Sequence, residues 1–233
     1  DASVDATFRV AGMQPELWHA ETGTSEPVSF KIANGRTTVP LRLEPWGTVF
    51  IVFRKPTSEK SHTVSAMTDT QLTTINGPWN VSFQPGRGAP GSITMDQLSD
   101  WSQSSDPGVK YFSGIGTYTT TLQISSQWLN LKKNAHLWLD LGDVKNLAVV
   151  TVNGKDLGET WHAPYRVDIT SALKPGKNEL SIKVVNAWVN RLIGDEQPGA
   201  TKLTFADIKP YKANSPLLPS GLIGPVTLVR QSE

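Results

Sequence analysis

The chain has 233 residues, and 22 Lys plus Arg stand against 21 Asp plus Glu, a net charge of +1. So even a balance gives no electrostatic reason for a nucleic acid or an anionic membrane as partner, and the longest apolar run, Gly47 to Phe53, is strand-sized rather than membrane-spanning. No cysteine is present, which excludes disulfides and thiolate metal sites and leaves the compartment open.

Taken in chain order, period-2 alternation and turn residues dominate. Val4–Val10 reads as a strand, followed by a turn at Gly12 and Pro15. Val28–Ile32 alternates and meets Asn34-Gly35, a strong hairpin signal because both residues tolerate positive φ. Thr38–Leu43 and Thr48–Phe53 follow, separated by Glu44-Pro45. Residues 1–56 thus read as four or five strands, part of a small β-sandwich. The polar stretch Lys55–His62 carries a proline and places a linker at 57–62.

Residues 63–233 read as a second all-β domain. Leu72–Ile75 and Trp79–Phe83 frame a turn at Asn76-Gly77-Pro78, and Ser92–Trp101 has room for a short helix. Gly116–Ile124 sets Tyr118, Thr120 and Leu122 against Thr117, Thr119 and Thr121. Leu137, Leu139 and Leu141 share a face; Leu147–Val152 runs into a second hairpin at Asn153-Gly154. Thr170 is placed to cap one helical turn, Leu180, Ile182 and Val184 face inward, and Pro225–Arg230 is the last strand. Many short strands separated by long loops give an antiparallel jelly-roll β-sandwich.

Two stretches carry a family resemblance. The order Leu137–Val144, Val152–Gly158, Ala163–Thr170 and Leu173–Leu180 resembles the sugar-binding, galactose-binding-like jelly roll of glycoside hydrolase family 2. Val185-Asn-Ala-Trp-Val-Asn-Arg-Leu-Ile-Gly-Asp-Glu196 resembles the C-terminal region of glycoside hydrolase family 106, the bacterial α-L-rhamnosidases, and Gln14–Trp18 and Leu41–Gly47 look like the β-sandwich after the barrel there. The resemblance implies a non-catalytic module of a larger enzyme whose carboxylates lie in an upstream barrel. It also implies a periplasmic or extracellular bacterial protein, acting on rhamnose-containing polysaccharide and partnered by that barrel. The first residue is Asp1 rather than Met, which leaves room for an upstream start and an export signal.

The candidate sugar-binding residues cluster in the second stretch: Trp188, Asn190, Arg191, Asp195 and Glu196. Hydroxyls suit planar bidentate partners, and a pyranose C–H face suits an indole. The competing reading is that Arg191 and Asp195 pair to brace the loop against another domain. Trp161 and His162 form a second rim, with Trp101 and Tyr111 bordering the long loops, whereas Trp79 and Trp138 sit in strand patterns and read as core. No cofactor is required by any motif. Asp140, Asp143 and Asp156 could offer oxygen ligands to Ca²⁺, without EF-hand spacing, and His19, His62, His136 and His162 show no zinc spacing. Two other functions stay open: a free-standing glycan-degrading enzyme, and a surface adhesion module.

Overall fold

The computed structural model describes residues 2–132 and 134–233. Two compact units are present, the first ending at Met67 and the second formed by Thr68–Trp161 and Tyr165–Ser232; His162–Pro164 pack with the first. The division falls beyond the expected linker because Pro56 ends a strand and Ser61–His62 pair with Phe30 and Lys31.

The first unit has two antiparallel sheets. One orders Ala2–Phe8, Arg36–Leu43, Phe30–Ala33 and Ser61–His62; the other orders Ser25–Pro27, Met13–His19 and Val49–Pro56. Seven strands therefore stand where four or five are expected. Met13–His19 is the strand that a turn was expected to occupy. Its Pro15 sits where the register with Val49–Pro56 shifts, a bulge position at which a residue without an N–H is tolerated. The Asn34-Gly35 hairpin forms as read, with φ of 51° and 72°.

The second unit is an antiparallel jelly-roll sandwich. Its six-stranded sheet runs Ser92–Met95, Trp79–Phe83, Ile115–Ile124, Gly176–Val185, Leu147–Val152 and Lys155–Thr160. Facing it is a four-stranded sheet of Arg166–Asp168, His136–Asp140, Thr227–Ser232 and Thr68–Thr74, and a ribbon pairs Asp143–Lys145 with Gly221–Gly224. Ser92–Met95 is thus an edge strand, not a helix. The alternation predicted for the inner faces is met: Leu137, Leu139, Leu141, Tyr118, Leu180, Ile182 and Val184 are all buried.

Trp79 joins that core, but Trp138 does not. Its neighbours Leu137 and Leu139 take the inner face, so the indole turns outward, half-buried, and donates to Gln231 Oε1 at 3.2 Å. Nor does Thr170 cap the short 3₁₀ turn Thr170–Ala172, whose cap is Ile169. The Thr170 hydroxyl instead accepts the Leu137 N–H at 2.8 Å, while Asp168 Oδ1 accepts the Thr170 N–H at 2.9 Å. The core's heaviest block is aromatic. Trp101 stacks on Tyr118 with centroids 5.8 Å apart, and Phe83 and Phe112 meet its ring edge-on at 5.3 and 5.5 Å. Gly116 and Gly221 leave the space this indole fills, since a Cβ on either would collide with it.

Candidate functional site

After the strand Gly176–Val185 the chain turns at Asn186 into the short helix Val189–Asp195. The polar residues of this turn are spent on the backbone of distant segments. Asn186 Nδ2 donates to Phe112 O at 2.8 Å and its Oδ1 accepts the Gly114 N–H at 2.9 Å. Ser113 Oγ donates to Ala187 O at 2.9 Å and accepts the Arg191 N–H at 3.2 Å. Asn190 grips Leu218 at two points, giving Nδ2 to its carbonyl at 2.7 Å and taking its N–H at 2.8 Å. Such paired amide bonds mimic a strand pairing and satisfy groups that burial would otherwise leave costly.

Arg191 and Asp195, one turn apart and both buried, form an ion pair at 2.9 Å. Asp195 also accepts the Leu203 N–H at 3.1 Å, the Thr204 N–H at 2.8 Å and the Thr204 hydroxyl at 2.5 Å. Burial pushes this carboxyl up, but Thr204, Leu203 and the Arg191 cation together outweigh it and hold the group below its usual range. Tyr111 lies against the helix where Gly194 has no side chain to obstruct it. Glu196 pairs with Lys202 at 2.9 Å, and that contact lowers its pKa.

The residues expected to meet sugar therefore divide. Asn190 and Asp195 are bonded to the backbone of other segments, and Arg191 gives its Nε–H to Asp195. Trp188 is 49% exposed, with the Arg87 guanidinium 4.6 Å over its ring. Trp101, at 1% exposure, is a core residue; its aromatic character and nearness to loops in sequence are also what a core residue bordering a loop shows. Trp161 is exposed, and His162 is buried with Nε2 2.5 Å from Glu21 Oε1 and Nδ1 2.9 Å from Ala163 O.

Beside the helix a pocket of about 190 Å³ opens between Lys145, Asn146, Asn186, Ala187, Asn190 and the segment Leu218–Ser220. Lys145 pairs with Asp143 at 2.7 Å, Asn146 is exposed, and Asn186 and Asn190 are fixed by the bonds above. None of these lining residues is a carboxylic acid, so the pocket lacks the acid pair of glycoside hydrolysis, and the exposed Asn146 amide is its side-chain group for a hydroxyl. Lys145, Asn146 and Leu218–Ser220 escape a reading of sequence because no local pattern links them to Asn186.

The calcium candidates do not fit a shared ion. Asp140 accepts Arg166 Nε at 2.8 Å and the Gly142 N–H at 2.9 Å, Asp143 pairs with Lys145, and Asp156 accepts the Gly158 N–H at 2.9 Å. Among the described residues no group of three or more His, Cys, Asp or Glu side chains is placed to hold a metal.

Comparison with known proteins agrees with this architecture. Residues 115–213 match the family described as glycosyl hydrolase 2 galactose-binding domain-like. Over 98% of its length the chain superposes on the solved rhamnosidase of Novosphingobium sp. PP1Y, with 50% identity and a TM-score of 0.92, and spans 21% of that chain. A protein of Formosa agariphila, named provisionally a beta-glucuronidase, is 36% identical over 178 residues, covering 66% of this chain and 15% of its own length. The chain thus corresponds to about a fifth of one relative and less of the other, and the resemblance to a family 2-type jelly roll with a rhamnosidase relative is met on both counts.

Proposed function

We propose that this chain, which carries a glycosyl hydrolase 2 galactose-binding-like domain, is a non-catalytic module of a larger secreted glycoside hydrolase acting on rhamnose-containing polysaccharide. In this reading the pocket between Asn146, Asn186 and Leu218–Ser220 takes a sugar hydroxyl array or completes the substrate surface of a neighbouring catalytic barrel. The observation that carries it is the pair Asn186 and Asn190, which line the pocket while their amides bond Phe112, Gly114 and Leu218. Two polar side chains are spent on fixing a pocket wall, and pre-organised walls are what binding sites need.

The chemistry of hydrolysis is assigned to the barrel, since the pocket has no acid pair. Titration calorimetry of the purified chain with rhamnose-containing oligosaccharides tests the reading. Measurable heat, lost in Asn146→Ala, is the expected result. No heat with the wild type removes the sugar-binding role and leaves bracing of the barrel. Reducing sugar released by the chain alone overturns the assignment.

A further inference from the structure

The first unit holds a feature that the pocket does not use. The turn Glu44–Gly47 joins the strands Arg36–Leu43 and Val49–Pro56, closed by the Gly47 N–H donating to Glu44 O at 3.0 Å. Pro45 takes its second position and Trp46 its third. Trp46 adopts φ +63°, a left-handed conformation that glycine or asparagine occupies far more easily, and its side chain is 83% exposed. An indole that accepts a strained backbone and stays in water gains nothing from its own fold. Strain of this kind persists where function uses it.

Other aromatic groups lie close by. Phe50, 56% exposed, pairs in register with Trp18, so both rings project from one face of the three-stranded sheet. Four residues of chain keep the Trp46 and Phe50 backbones within about 14 Å. The Arg54 guanidinium lies 4.6 Å over the Trp18 ring and donates to Glu16 Oε2 at 2.9 Å, while Lys55 reaches Oε1 at 2.6 Å. Two cations share one carboxylate, and their side chains stay 53% and 66% exposed.

We propose that Trp46, Phe50 and Trp18 form a second glycan-binding platform, in the first unit, whose ligand is an acidic polysaccharide. The exposed Trp46 and Phe50 rings stack on the C–H faces of successive sugars beside the Arg54-capped Trp18, and the exposed Arg54 and Lys55 side chains complement uronate carboxylates. The platform stands on different residues from the pocket of the second unit and does not depend on it.

Affinity electrophoresis of the purified chain tests this, with sodium polygalacturonate in the gel and a neutral galactan as control. Polygalacturonate retards the wild type, and Trp46→Ala and Phe50→Ala weaken retardation by about fivefold or more. Trp46→Gly loses retardation equally, yet its Tm is no lower than wild type because glycine suits the turn. Raising the salt from about 0.05 to about 0.5 M weakens retardation severalfold. Asn146→Ala in the pocket leaves it unchanged. The proposal fails if polygalacturonate does not retard the chain, if Trp46→Gly is retarded like wild type, if the neutral galactan retards it equally, or if Trp46→Ala instead abolishes a self-association seen by sedimentation.

Discussion

The two units bury their side chains in different ways. The second has one continuous core, with Trp79, Trp101, Phe112, Tyr118 and the leucines of His136–Asp140 all below 2% exposure. In the first, Phe30, Val39 and Pro15 are the apolar side chains buried among the described residues, and its order rests on strand pairing and on ion pairs around Glu16. Area removed from water is the main favourable term in folding. The second unit is therefore specified by its own sequence pattern. In the first, backbone pairing and electrostatics bear more of the load, and its aromatic rings at 46 and 50 are left outside.

The sharpest test of that contrast is Trp101→Ala. Removing a fully buried indole between Phe83, Phe112 and Tyr118 is expected to cost about 3–5 kcal/mol by urea denaturation. A cost near zero would mean that the aromatic block is not the core. Next comes Asp195→Ala, which strands the buried Arg191 cation and frees the Leu203 and Thr204 amides. Breaking one side of a buried pair costs about 3 kcal/mol or more, and the same measurement shows whether the brace matters to stability.

The smallest effect is a pH dependence that the two units share for different reasons. In the first, Lys55, Arg54 and Trp18 hold Glu16 down to about 2; in the second, Asp195 is lowered by Thr204, Leu203 and Arg191 against the cost of burial. Both folded pKa values lie below the unfolded ones. Their contribution is therefore complete above the ordinary carboxylate range of about 4, and each is lost as the pH falls through its own lowered folded value, about 2 for Glu16. His162 works in the opposite sense. Ala163 and Glu21 raise its pKa, so what it contributes is present below about 6.5 and is lost as the pH rises through the folded value. Thermal melts from pH 2 to 9 should show both slopes, and Glu16→Gln should flatten the acid one.

How far each part could be read in advance follows the same division. Alternation over 116–124, 137–141 and 180–184 gave the inner faces of the second unit directly, because burial on one side imposes a period of two. Both Asn-Gly hairpins were equally legible, Asn153 and Gly154 adopting φ of 52° and 79°. The strand Met13–His19 was hidden by its proline, since a bulge and a turn use the same residue. In the site, the cluster Asn186–Glu196 stood out, but its partners Phe112, Leu203, Thr204 and Leu218 come from elsewhere in the chain. Sequence could flag the donors and acceptors without showing that they had already found each other.

The short helix Val189–Asp195 fastens one segment at both ends, Asp195 at Leu203 and Thr204, and Asn190 at Leu218. The stretch between those anchors is consequently closed on a fixed base whatever its contents. Each doubling of a closed loop adds only about 0.6 kcal/mol of closure entropy. Lengthening or shortening residues 205–217 is therefore expected to cost little closure entropy while the anchors at Asp195 and Asn190 hold the ends in place.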